Sequence, residues 1–250
     1  MADHLFDYTL QLADTSLILA HRLSEWCGHG PVLEQDLAMA NISLDLLGQA
    51  RSYYQYAAEL EGKGRSEDDL AYLRSAVEYK NPLLVEQPNG DFAHTVVRQF
   101  LFDTYHVELL EGLALCPDER LQSIAIKSLK EATYHRQWSS EWVIRLGSST
   151  AEARMRVEEA IYDLWPYQGE LTAATPIENG LISSGFLPAY STIALAAEAF
   201  RRDVLERATL PYPEGVYQQM GGKAGRHSEH LGYLLSELQY MQRAYPGMEW

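Results

Sequence analysis

The segment FAHTVVRQFLFDTYHVELLEGLAL, residues 92–115, decides the fold because its apolar residues recur every three or four positions. That spacing is typical of one face of an amphipathic α-helix. The row predicted to face inward is Phe92, Val96, Gln99, Asp103, His106, Leu110 and Leu113. A carboxylate and an imidazole, Asp103 and His106, are therefore expected to point into the interior of a helix bundle.

A second long helix is predicted from Pro117 or Asp118 to Leu146, and it contains KEATYH, residues 130–135. Its inward row reads Leu121, Ala125, Ser128, Ala132, His135, Ser139, Trp142 and Leu146. Glu131 lies about 100° from that row, on the flank of the helix. Bundles with a di-iron site place a Glu three residues before a His. Here that position holds Ala132, so the motif has the outline of a metal site without one of its ligands.

The rest of the chain also shows helical periodicity, and strand signals are nearly absent. Helices are predicted near 5–26, 31–60, 67–79, 149–165, 188–210 and 227–244, with Gly62 as a stop and Ser149 and Glu152 as a capping box. Residues 80–91, 169–186 and 209–225 are predicted to be irregular. Long helices joined by short connections favour an antiparallel bundle. The sequence thus predicts one all-α domain over 1–250, with extra C-terminal helices packed on the bundle.

Composition restricts the function classes. The 250 residues carry a formal net charge of −15, which disfavours nucleic acid and anionic membranes as partners. The two cysteines form no CxxC pair, and no apolar run is long enough to span a bilayer. The first residues show no secretory leader pattern, so a cytoplasmic protein is expected.

The interior trio Asp103, His106 and His135 has two interpretations. A di-iron site needs about four carboxylates and two histidines, but the second helix carries DLLGQAR at 45–51 and the first carries TSLILAH at 15–21. The trio, with Glu131 as a further candidate, could form a reduced mononuclear site in an independent metalloenzyme. Alternatively, it is a buried polar network in which Asp103 accepts a hydrogen bond from an imidazole.

Six stretches carry a family resemblance: EWCGHGPVLEQDLAMANISLDLLGQAR (25–51), AAELEG (57–62), LLVEQPNGDFAHT (83–95), KEATYH (130–135), GGKAGRHSEHLG (221–232) and YPGMEW (245–250). On these motifs, which extend along the whole chain, the sequence resembles the structural, non-catalytic subunits of bacterial phenylacetyl-CoA epoxidases. The resemblance implies a ferritin-like bundle. It also implies a homologous catalytic subunit that holds the di-iron site, further small subunits, and an NADPH-dependent flavin and iron–sulfur reductase.

The resemblance further implies which ligands this chain has lost. The ligating Glu positions of the catalytic relative fall on Leu46 and Ala132, its second-helix His on Gln49, and its first-helix carboxylate near Leu17. An alignment from AAELEG moves the second-helix positions to Leu47 and Ala50. Only Asp103 and His135 match ligands, so no cofactor is expected on this chain. Epoxidation of the aromatic ring would belong to the catalytic subunit, and a scaffold in some other complex is the third alternative.

Two loops are candidates for partner or coenzyme A contacts. Glu86, Asn89 and Asp91 belong to a loop that is predicted to contact a partner. The alternative is an ordinary turn in which Asp91 caps the next helix. In the second loop, Lys223 and Arg226 beside two glycines suit an anion such as a coenzyme A phosphate, but an ordinary surface loop remains an alternative. His227 and His230, one turn apart, suit zinc, a helix start, or an interface.

Overall fold

The computed structural model describes residues 2–248, with side chains from residue 4 onward, and the predicted domain ends at Met1 and at 249–250 lie outside this part. The helices it contains are α1 (Ala2–Ser24), α2 (Leu33–Glu61), α3 (Glu67–Tyr72), α4 (Leu83–Glu86), α5 (Phe92–Leu113), α6 (Glu119–Gly147), α7 (Ala151–Thr172), α8 (Pro176–Ser183), α9 (Tyr190–Arg207), α10 (Glu229–Leu238) and α11 (Tyr240–Ala244). Residues 2–248 contain no strand, so the chain is all-α as predicted.

Four long helices, α1, α2, α5 and α6, form the bundle. Helices α1 and α2 run antiparallel, since Ser43 bonds the carbonyl of Ala20 while Tyr54 bonds Asp14 farther back along α1. Helices α5 and α6 pack together along their length, and α2 also contacts α6. The later helices α7 and α9 cover α5. The architecture is the predicted ferritin-like bundle with additional helices.

The long helices begin and end near the predicted residues because their caps are local. Asp91 accepts a hydrogen bond from the backbone of His94 at the start of α5, and Asp118 does the same for Leu121 at the start of α6. Gly62 ends α2 in the left-handed conformation, with φ of 64°. The predicted start of this helix at residue 31 is two residues too early, because α2 begins at Leu33 and Pro31 precedes it.

Several predicted boundaries are wrong. The cap of α7 is Thr150 rather than Ser149, and α7 continues through Pro166 to Thr172 instead of ending near Trp165. Residues 169–186 were predicted to be irregular, yet they include the end of α7 and all of α8. Loop 80–91 contains the single turn α4, and the predicted helices over 67–79 and 227–244 are each interrupted. No helix of the described chain is long and apolar enough to cross a membrane.

Candidate functional site

The inward rows of α5 and α6 meet where the sequence predicts. Asp103 is fully buried; its Oδ1 accepts a hydrogen bond from the amide of Gln99 at 2.7 Å, and its Oδ2 accepts one from the hydroxyl of Ser139 at 2.8 Å. Burial raises the pKa of Asp103 to about 7, despite opposing contributions from His135 and the two donors. This carboxyl group therefore carries a proton for much of the time at neutral pH.

His135 is fully buried and bonds a residue that the sequence analysis did not single out. Its Nε2 lies 3.0 Å from Oδ2 of Asp45 on α2. One turn away, the amide of Gln49 donates to Oε2 of Glu131 at 2.9 Å. These two links join α2 to α6. Asp45 lies about 100° from Leu46 around α2, so helical periodicity alone does not place it in the interior.

His106 lies apart from these links. Its ring packs against Phe102 in a tilted arrangement with 4.8 Å between ring centroids, and its Nδ1 has no hydrogen-bond partner among the described residues. Burial lowers the pKa of His106 to about 3, so the imidazole is neutral at physiological pH. It lines a small cavity of about 10 Å³ together with Tyr53, Thr15 and Ser16. Among the described side chains, no carboxylate is placed to share a metal ion with it.

The predicted lost-ligand positions on α2 and α6 are in the interior. Leu46 and Ala132 are fully buried and Gln49 is 3 % exposed. In the alternative alignment the two positions are Leu47, which is 38 % exposed, and Ala50, which is 2 % exposed. Helix α2 therefore faces the bundle through Leu46 and Gln49.

The predicted position on α1, Leu17, is 4 % exposed. Leu17 lines a surface cavity with Leu47 and Tyr54, between α1, α2 and α3. The α1 residues that share the interior cavity with His106 are Thr15 and Ser16. Leu17 therefore lies on a different face of α1 from Thr15 and Ser16.

The residues of this chain do not fit a di-iron centre. Such a centre needs about four carboxylates and two histidines, whereas Leu46 and Ala132 present only aliphatic carbon. Among the described residues, no group of three or more His, Cys, Asp or Glu side chains is arranged to hold a metal ion. Asp103 and His135 instead bond to other protein side chains.

The second candidate loop, residues 221–228, is bound to the protein interior. Glu86 is fully buried and accepts hydrogen bonds from the backbone of Ser228 at 2.6 Å and from Asn81 at 3.0 Å, and it lies 2.8 Å from Nδ1 of His227. Burial alone would lower the pKa of His227, but Glu86 raises it above its usual value. Oε1 of Glu170 accepts a hydrogen bond from the backbone of Gly221 at 2.8 Å.

Lys223 is buried as well. Its ammonium lies 3.0 Å from Oε1 of Glu178 and donates to the carbonyls of Leu171 and Ala173, each at 3.2 Å. Burial would raise the pKa of Glu178, but Lys223 and other donors hold it below its usual value. We call this set, Glu86, Glu170 and Glu178 bound to loop 221–228, the carboxylate clamp. The side chains of Glu86 and Lys223, which were candidates for partner or coenzyme A contacts, both face inward in this structure.

The other candidate contact residues lie nearer the surface. Asn89 bonds the carbonyl of Arg22 at 2.7 Å and accepts from Arg98 at 2.7 Å. Asp91 caps α5, Arg226 is exposed and His230 is half-buried in the first turn of α10. These four side chains remain candidates for a contact. His227 and His230 are not a zinc pair, since the ring of His227 is bonded to Glu86 and to the carbonyl of Tyr79.

Comparison with known proteins places the chain in a family. The model of the phenylacetic acid catabolic protein family matches residues 1–250, and the chain belongs to that family. Over 243 residues it is 46 % identical to one of the subunits of the 1,2-phenylacetyl-CoA epoxidase of Escherichia coli (strain K12). This alignment covers 97 % of the chain and 98 % of that relative.

Proposed function

We propose that this chain is the non-catalytic structural subunit of a phenylacetyl-CoA epoxidase complex, in which it binds and stabilises a homologous di-iron catalytic subunit. Two findings support the assignment to such a complex: the family membership and the relative named as an epoxidase subunit, which aligns with nearly the whole chain. Its partners would be the catalytic subunit, further small subunits and a reductase, acting in the cytoplasm on aromatic coenzyme A thioesters.

The observation that carries the non-catalytic part of the proposal is the interior at Leu46 and Ala132. Both positions are fully buried and aliphatic. Nearby, Asp103 is bonded to Gln99 and Ser139, and His135 to Asp45. A metal with high charge would have to replace these hydrogen bonds without enough anionic oxygen to offset its own desolvation. The redox chemistry therefore belongs to the partner.

The chain's own contribution is a rigid bundle. Buried ion pairs fix its peripheral segments: Arg74 with Asp14, and Lys223 with Glu178. A homologous bundle can pack on such a frame through a large apolar face. In this proposal the subunit holds the catalytic bundle in a fixed geometry and thereby supports substrate access and turnover.

One observation favours the alternative of an independent metalloenzyme. The Nδ1 atoms of His106 and His135 are buried and have no hydrogen-bond partner among the described residues. Free imidazole nitrogens can bind a metal. The structure nevertheless gives them no shared carboxylate, which the alternative requires of Asp103.

The test is reconstitution with the catalytic subunit and reductase of the same organism. Consumption of phenylacetyl-CoA is measured for each bundle subunit alone, for both together, and for the complex with the double variant Asp103→Asn, His135→Gln. The proposal predicts that this chain alone is inactive, that the pair is active, and that the double variant supports nearly wild-type turnover once its folding is verified. Turnover by the chain alone, abolished in the double variant, would contradict the proposal and support the alternative.

A further inference from the structure

Helix α2 carries an apolar row that the described residues of this chain leave largely exposed. Leu33, Leu37, Leu44 and Leu47 are 72 %, 55 %, 64 % and 38 % exposed. Their spacing places them within about 80° of arc over a length of about 21 Å. We call these four residues the α2 stripe. A contiguous apolar row of this length on a soluble surface marks an interaction site.

The stripe leads into a concave surface. Leu47 also lines an open cavity of about 310 Å³ between α1, α2 and α3, whose other apolar walls include Leu17, Tyr54 and Tyr72. Strong interfaces often seat a large apolar or aromatic side chain in such a depression. The stripe and the cavity together form one continuous surface with a place for an anchoring side chain.

Gly48 provides a second, independent observation. It lies inside α2 next to the stripe, where glycine weakens a helix relative to alanine. A Cβ at Gly48 would meet nothing within 4 Å, so no contact within this chain requires a glycine. Close approach of a second backbone does require one, because a side chain there would hold the two helices apart.

The charges beside this surface select its occupant. Glu34, Asp36 and Asp45 flank the stripe on α2, while Glu67 and Asp68 line the cavity. Arg51 lies 3.2 Å from Glu67, so these two charges offset each other and Asp68 leaves the cavity negative. On the other side of Gly48, Arg120 and Lys127 lie near Glu131, so the excess of acidic charge is on the stripe and cavity side. A second copy of this chain would bring acidic flanks against acidic flanks, which is unfavourable. A partner with lysine or arginine at its margins is complementary.

We infer that the α2 stripe and its cavity are the docking surface for a helix of the homologous catalytic subunit, one that has an apolar face, basic margins and a large apolar anchor. This inference rests on the proposed function and assigns the face through which that function acts. It places the closest approach of the two backbones at Gly48.

The matched test compares Leu44→Lys with Leu195→Lys. Both leucines lie within helices and are similarly exposed, at 64 % and 69 %, but Leu195 is on α9, away from the stripe. The dissociation constant for the wild-type catalytic subunit of the same organism is measured by titration calorimetry. Leu44→Lys should weaken binding at least about 10-fold, the loss expected for one buried leucine, while Leu195→Lys should leave it unchanged.

Gly48→Leu separates docking from folding. The space around Gly48 is open in the isolated chain and leucine favours helix, so its thermal midpoint should be kept or raised while binding to the catalytic subunit weakens. Unchanged binding by both Leu44→Lys and Gly48→Leu would overturn the assignment of this face. If Leu44→Lys abolishes association between copies of this chain but leaves binding to the catalytic subunit unchanged, the assignment of the catalytic subunit as the occupant is wrong. Failure of the wild-type chain to bind the catalytic subunit would instead overturn the proposed function, and the occupant with it.

Discussion

Replacing Asp103 with asparagine should change the pH dependence of stability in a direction that the structure fixes. Burial raises the pKa of Asp103 to about 7 in the folded chain, compared with an ordinary value of 3.8. Between these values the folded chain keeps the proton while the unfolded chain releases it. The unfolded state then binds fewer protons, so the contribution of Asp103 is fully present below about pH 4 and is lost as pH rises to 7.

The magnitude follows from the size of the shift. A difference of about three pKa units corresponds to about 4 kcal/mol in the free energy of unfolding, of which about 2 kcal/mol falls between pH 5 and 7. An asparagine side chain cannot ionise, so this loss should be absent in the variant. The stability of wild type relative to Asp103→Asn should thus decrease by about 2 kcal/mol over that range, or roughly 4–8 °C in the thermal midpoint.

The assay is urea denaturation of both proteins at pH 5, 6, 7 and 8, with the difference in free energy plotted against pH. Groups common to both proteins cancel in that difference, which isolates residue 103. A difference that does not vary with pH would refute the reasoning, because it would mean that Asp103 is ionised throughout. Such a result would point to a bound cation or a stronger donor at this carboxylate.

Three further outcomes are expected. Between pH 7 and 5, the free energy of unfolding of wild type should fall by about 2 kcal/mol relative to that of His106→Gln. The reason is that burial lowers the pKa of His106 to about 3, while the unfolded residue binds a proton near 6.5. An opposite slope in urea denaturation would contradict this. Lys223→Met should lower the free energy of unfolding by about 3–5 kcal/mol, because the buried Glu178 loses its ion-pair partner. The double variant Lys223→Met, Glu178→Gln should lower it by less than the sum of the two single changes. Additive effects would show that the pair is not coupled. Thr150→Ala should lower the free energy of unfolding by about 1 kcal/mol through loss of the α7 cap, with Ser149→Ala as the control; equal effects would contradict the cap assignment.

The inward rows of α5 and α6 could be predicted because both are set by local helical geometry. Every residue from Val96 to Leu113 in the predicted row of α5 is buried. On α6, the predicted placement of His135 in the interior and of Glu131 on the flank is confirmed. A period of 3.6 residues determines which side chains share a face, and this is enough where one face is buried.

Helix α2 shows the limit of that reasoning. The leucines at 33, 37, 44 and 47 recur at helical spacing and lie in a helix, yet the structure leaves them exposed. Periodicity identifies an apolar face but not the element that covers it. An apolar face that packs on another chain and one that packs in the chain's own core have the same periodic pattern in the sequence.

The carboxylate clamp could not be predicted because its members are far apart in sequence. Glu86 and His227 are separated by 141 residues, and Glu178 and Lys223 by 45. Charged residues in glycine-rich loops favour a surface interpretation, and only the fold reveals that these pairs are buried. Helix α8, in contrast, had a readable signal: Thr175, Pro176 and Glu178 form a capping box with proline in the first turn.

The decisive experiment is to measure the iron and zinc content of the chain, expressed alone with added iron and purified without chelator. Far less than one metal per chain is expected, because Leu46 and Ala132, at the positions where the family resemblance implies ligands, are aliphatic and because His135 is bonded to Asp45. One or two tightly held metals per chain, lost in the Asp103→Asn, His135→Gln variant, would contradict the account and make this interior a working metal site.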